Sequence, residues 1–279
     1  LATGHRSRRR SLVKTLGALT VACAPPLLHA GPINSDVAFT PRKGGSILRL
    51  QYSYSEADDR DEVRHVNSSG IQGTYVHGLK ENLALFFTVP YMNQQVDRVL
   101  PRLGRVESAH DGVGDLTFLA KYRFWQRDTR PGETYRWAAL GGLNVRSGDS
   151  EFSSDSYDPI LGTVFTLQRD RNLLDADLIY QFNTGRDESR HDALRYDLAY
   201  SYRFFPAVFE PGANYEWNAV AELNGLYSTD GSHEVFLSPG LQFVTERWAI
   251  EASVQLPVIQ DVDGPETDYR LVIGLRFQW

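Results

Sequence analysis

The residues best equipped for chemistry are the histidines and the acids beside them. His65, His110, His191 and His233 fall in turn-rich stretches, and the last three are followed directly by Asp111, Asp192 and Glu234. Imidazole beside carboxylate can hold a divalent metal or form an acid–base pair. No ligand spacing within one element supports either use, so solvated side chains are expected, with no metal and no cofactor. His77 lies on a strand-like run and faces its apolar side. A lipid-hydrolysing site there would need a partner on the same face, and the neighbouring strands offer only serines or threonines of uncertain phase; protease-like chemistry has no better constellation. Gly112-Val113-Gly114 has the glycines of a phosphate-cradling loop, but no Gly-Lys-Ser/Thr follows. The charged stretch Glu56, Asp58, Asp59, Arg60, Asp61, Glu62 and Arg64 reads as a solvated loop.

A larger set of charges recurs on one side of alternating runs. It comprises Arg49, Asp115, Lys121, Arg123, Arg136, Arg146, Asp175, Asp177, Arg195, Asp197, Arg203, Glu222, Glu251, Arg270 and Arg276. What must position them is a set of strands whose other side is apolar. Near the carboxyl end, Tyr269, Leu271, Ile273, Leu275, Phe277 and Trp279 alternate with Arg270, Val272, Gly274, Arg276 and Gln278. Leu116, Phe118, Ala120, Tyr122 and Phe124 likewise alternate with Asp115, Thr117, Lys121 and Arg123. Twelve such runs appear, near 46–55, 70–77, 82–89, 114–125, 135–146, 159–168, 173–183, 193–204, 215–227, 234–244, 248–256 and 268–279. Most have the roughly 9–11 residues a tilted strand needs to cross a bilayer. The phase of 159–168 is ambiguous, because both of its sides are apolar.

A soluble sandwich also alternates, but it hides its apolar face and shows its polar one. Here aromatic residues gather at strand ends, as in the interfacial belts of membrane barrels. One belt would hold Tyr122, Phe124, Trp137, Tyr202, Phe204, Trp217, Trp248, Phe277 and Trp279; the other would hold Tyr52, Tyr54, Phe87, Tyr180, Phe182, Tyr227 and Tyr269. With the amino terminus starting in the periplasm, the odd connections (56–69, 90–113, 147–158 and 258–267) should be long and extracellular, and the even ones short. Two even connections, 126–134 and 205–214, are longer than that pattern prefers. The fold expected is all-β: a transmembrane antiparallel up-and-down β-barrel of about twelve strands, in a bacterial outer membrane.

The chain has 279 residues, 42% of them hydrophobic, and no stretch long and apolar enough for a membrane helix. Residues 1–30 read as an export signal, with a basic start made by Arg6, Arg8, Arg9, Arg10 and Lys14 and a largely apolar run from Leu12 to Ala24. Cleavage is expected after Ala30; Cys23 after Ala22 would suit a lipoprotein, but Thr20 and Val21 fit that poorly. Loss of five basic residues with the signal would move the formal charge from −6 to −11 and remove Cys23, the only cysteine. Nucleic acid is therefore not an expected partner. Residues 31–45 would be a short periplasmic segment and 46–279 the transmembrane barrel.

Thr88-Val89-Pro90-Tyr91, Gly112-Val113-Gly114-Asp115-Leu116 and Lys121-Tyr122-Arg123-Phe124 resemble the outer-membrane family described as "MetA-pathway of phenol degradation". Leu140-Gly141-Gly142-Leu143-Asn144-Val145-Arg146-Ser147-Gly148 resembles its next strand, although a Lys-Leu-Pro-Thr-Gly-like ending is commoner there. The last strand, with Gly274, Phe277 and Trp279, resembles the signal read by the barrel-assembly machinery. The resemblance implies a barrel that takes up small, including aromatic, molecules, and it carries no catalytic or binding residues over.

A passive channel for small solutes is the expected function, in contact with outer-membrane lipid and lipopolysaccharide. Twelve strands lie between barrels that side chains fill and those that leave an aqueous channel. Basic charges on the fourth and fifth runs facing acidic ones on the seventh, ninth and eleventh would orient dipolar or anionic solutes. The alternatives are a non-conducting structural or sensor barrel, its lumen closed by paired charges, and an outer-membrane enzyme. About 14 residues before the first strand look too few for an amino-terminal hatch, and 147–158 looks short for an inward-folded third loop.

Overall fold

The computed structural model describes residues 31–59, 64–100, 104–185, 191–208 and 214–279. The export signal expected over 1–30 lies outside them. Thirteen strands follow one another: β1 (Ser46–Asp59), β2 (Arg64–Lys80), β3 (Leu83–Leu100), β4 (Gly104–Val113), β5 (Leu116–Arg130), β6 (Glu133–Val145), β7 (Asp158–Arg169), β8 (Asn172–Gln181), β9 (Ala193–Phe205), β10 (Tyr215–Ser228), β11 (His233–Thr245), β12 (Trp248–Asp261) and β13 (Glu266–Gln278).

They make a twelve-position wall, because β4 and β5 share one position. β3 pairs with β5 over Leu83–Thr88 and with β4 over Tyr91–Leu100. β1 closes the ring, antiparallel to β2 on one side and to β13 on the other. Ser46 and Trp279 exchange both backbone bonds at the seam, at 3.0 and 3.1 Å. Closure leaves no strand edge inside lipid, where an unpaired N–H or C=O would cost several kcal/mol.

The two faces are inverted relative to a soluble protein. Leu161, Ile273, Leu241 and Phe124 are all more than half exposed, while Lys121, Glu222, Glu251 and Gln242 are buried. Large apolar side chains outside and charged ones inside is the arrangement lipid demands. Aromatic side chains meet along the outer rim above the short turns: Phe124–Trp137 at 5.9 Å, Trp217–Phe243 at 4.8 Å and Phe243–Trp248 at 5.4 Å between ring centroids.

Four expectations need correcting. Residues 56–69 and 90–113 are largely strand, not long loops, since β1 to β4 run on beyond the wall. Every residue of β4 except Gly112 is exposed, so its two sides meet the same water and no alternation marks it. The connection expected over 126–134 shrinks to the two-residue turn Pro131-Gly132, with Gly132 at a φ of 79° that suits glycine. Residues 31–40 run inside the barrel, not beside it in the periplasm. Residues 147–157, expected to be too short to fold inward, bury Ser153 and Ser156 in the barrel mouth. The ambiguous phase of β7 resolves for the same reason: its inward Val164 packs with Ala138, Leu140 and Ala38 of the incoming segment.

Candidate functional site in the barrel lumen

The lumen is built around the backbone of the amino-terminal segment. Glu222, on β10, accepts hydrogen bonds from the N–H groups of Ile33 (2.6 Å), Asn34 (3.0 Å) and Ser35 (3.0 Å), and from the Ser35 hydroxyl (2.7 Å). Asp177 accepts from Asp36 N–H at 2.8 Å, and Thr166 from Ala38 N–H at 2.8 Å. The carbonyls face donors on other strands. Arg49 and Gln51 reach Ile33 O, Gln242 reaches Gly31 O at 2.6 Å, and Lys121 reaches Val37 O at 2.7 Å. Lys121 also pairs with the Asp36 carboxylate. The segment thus satisfies its own polar backbone in a space without a strand partner. Thr40 accepts from Arg123 at 3.0 Å, and the Arg136 guanidinium lies 4.2 Å over the Phe39 ring.

Other inward charges pair across the wall. Glu251 joins Arg49 at 2.5 Å and Arg276 at 3.1 Å, beside Gln242 at 3.2 Å. Gly274 makes this possible: a Cβ there would come within 2.5 Å of Glu251 Cγ. Asp197 holds Arg195 at 3.1 Å and accepts from Asn224 at 3.0 Å, and Asp175 accepts from Thr166. Arg203 lies 3.7 Å from Glu216, and Arg270 donates to Gln255 at 3.1 Å. Arg146 is different: it lies outside the strands, more than half exposed, paired with Asp155 at 2.5 Å. Gln242, Gln51, Thr166 and the acceptor carbonyls escaped sequence reasoning, because a neutral side chain on a polar face carries no mark of its partner.

Asp115 sits in the turn between β4 and β5 and organises the inward loop. It accepts from Ser147 N–H (3.0 Å), Gly148 N–H (2.9 Å), Ser153 Oγ (2.7 Å) and Ser154 N–H (2.6 Å). Burial alone would raise its pKa, but the N–H groups of Ser154, Ser147 and Gly148 outweigh burial and hold the carboxyl well below the usual range. Beneath this loop lies a cavity of about 450 Å³. Pro90, Met92, Phe152 and Ala193 give it apolar surface; Thr117, Asn144, Gln181, Asn183 and His191 give it polar surface, and Asp115 and Asp158 line it too.

The loop histidines spread around the rim without converging. His65 meets Asp58, His110 meets Glu151 at 3.2 Å, His191 lies 3.9 Å from Asp230, and His233 meets the Tyr196 hydroxyl at 2.6 Å. Among the described residues no three metal-ligating side chains cluster. The structure settles which hydroxyl meets His77: Ser46 Oγ lies 3.0 Å from His77 Nδ1 and 2.9 Å from the Tyr75 hydroxyl. That serine is only 4% exposed, and no described acid orients the imidazole, so the trio reads as a polar clasp at the seam.

A family described as "MetA-pathway of phenol degradation" matches residues 52–262. No curated protein matches the chain. Among solved structures, an outer membrane channel from Pseudomonas putida F1 is similar with a TM-score of 0.59 and 14% identity, covering 90% of this chain and 100% of that one. The transport unit of the autotransporter AIDA-I from Escherichia coli aligns with a TM-score of 0.47 and 10% identity, covering 85% and 91%. The first likeness is one of fold: both chains make the outer-membrane barrel.

Proposed function

Since the chain belongs to the family described as "MetA-pathway of phenol degradation", we propose that this outer-membrane barrel is a channel for passive uptake of small solutes, aromatic compounds among them. The observation that carries the proposal is the cavity of about 450 Å³ at the barrel mouth, lined by apolar and polar side chains and large enough for a small solute. A solute entering there meets the inward loop 147–157, and the rest of the lumen holds polar side chains and residues 31–40. The apolar outer face contacts lipid and, on the outside, lipopolysaccharide. Gly274, Phe277 and Trp279 on the last strand would present the assembly signal, and no cofactor is called for.

The test is flux. The refolded barrel in liposomes should permit swelling with small uncharged solutes and give small, discrete conductance steps in salt. Liposomes that stay closed around a correctly folded, heat-modifiable barrel would overturn the channel. The luminal segment favours one second reading, a non-conducting structural or sensor barrel, which that outcome would support.

A further inference from the structure

We propose that the mouth cavity selects uncharged solutes with an apolar or ring-shaped body and a hydrogen-bonding group, and turns anions away; this rests on the channel reading above. Met92, Pro90 and Phe152 form an apolar surface on which a flat ring can lie, with thioether–ring contact available from Met92. Facing them are three carboxamides. Asn144 uses its oxygen to accept from Thr117 at 2.8 Å, and Asn183 uses its own to accept from Gly185 N–H at 3.0 Å. Each therefore has amide N–H groups to offer a solute oxygen, and Gln181 can donate or accept.

What decides against anions is the charge around these groups. No lysine or arginine is among the described lining residues, and Asp115 and Asp158 are. The loop above adds Asp149, Glu151 and Asp155. The nearby basic groups face acids: Arg195 meets Asp197 at 3.1 Å and Asp177 at 3.9 Å, Arg146 meets Asp155 at 2.5 Å, and the lining His191 lies 3.9 Å from Asp230. A solute carboxylate would shed water without meeting a free cation, inside a negative field. Cations gain little in return, because Asp115 is saturated by four donors and Asp158, one oxygen of which accepts from Ser156 Oγ and Thr184 N–H, is only 1% exposed. The basic side chains that sequence reading assigned to orienting anions, Lys121, Arg123 and Arg136, are instead occupied by the luminal segment.

Benzyl alcohol, benzoate and benzylamine share a ring and nearly a size, and differ in charge. Their binding to the detergent-purified barrel, followed by ligand-observed NMR, should favour benzyl alcohol over benzoate by about tenfold or more. Gln181→Arg, or Asn183→Lys should the first variant not fold, should narrow or reverse that ratio. Equal binding of benzoate, tightest binding of benzylamine, or no binding of any of the three would overturn the selection. The channel reading fails separately: binding with this preference but no liposome swelling refutes the channel and leaves the selection standing. Swelling at equal rates with all three leaves the channel and refutes the selection.

Discussion

Glu222 takes five donors from three consecutive residues of the luminal segment, more than any other side chain that holds it. Glu222→Gln keeps the shape but turns one acceptor oxygen into a donor facing other donors. Each charge-assisted bond is worth about 1.5–3 kcal/mol, so the seat should weaken by at least that much. Conductance should become larger or more frequent, and Glu222→Asp should fall between. An unchanged conductance trace would show that the segment is held elsewhere. Asp115 makes a different prediction, in pH. Its folded pKa is depressed, so its contribution is fully present above the unfolded value near 4 and is lost only as pH falls through the lower folded value. The inward loop should therefore stay closed in mild acid, whereas Asp115→Asn should open it at every pH, read by protease cleavage within 147–157. The polar identity of such residues was legible, because alternation told which side of the strand they occupy. Their partners were not: Glu222 answers to backbone N–H groups, which every residue but proline carries.

At the scale of elements, legibility stops where lipid stops. Within the bilayer one face must be apolar, so runs such as 268–279 announced their register. Beyond it, β2, β3 and β4 continue as a ribbon wetted on both sides, and Arg64–Ser69 or Gly104–Asp111 read as loop. The luminal segment was misjudged for a related reason: about 14 residues look short until one sees that an extended chain covers roughly 3.3 Å per residue. Ten residues are then enough to cross the lumen. β5 replaces β4 as partner of β3 from Thr88 downward, so the wall closes without the ribbon. Replacing 95–107 by a short turn should therefore leave a heat-modifiable barrel with unaltered conductance. Trypsin added to whole cells should cut the parent chain near Arg98 or Arg105 and spare Arg130 and Arg171 in the short turns. Cleavage at the short turns instead would reverse the orientation in the membrane.

For the molecule as a whole, the question is whether wall and luminal segment are one cooperative unit. The ring closes through strand pairing alone, from β1–β13 round to β2–β3, and the segment contributes nothing to that ladder. Deleting residues 31–41 would leave Glu222, Asp177 and Lys121 without their main partners. In a dry core an unpaired buried charge costs about 3–5 kcal/mol. Here the vacated space is wide enough for water, which would rehydrate those groups and recover most of that cost. The wall should therefore fold, keep its heat-modifiable migration and melt only slightly lower, while conductance rises several-fold. Gly274→Val is the converse case. It drives side-chain atoms into Glu251 and splits the Arg49–Glu251–Arg276 cluster against the wall itself, so it should lower folding yield and melting temperature more than the deletion does. If the deletion proved the more damaging of the two, the segment would be part of the barrel's core and not a removable obstacle within it.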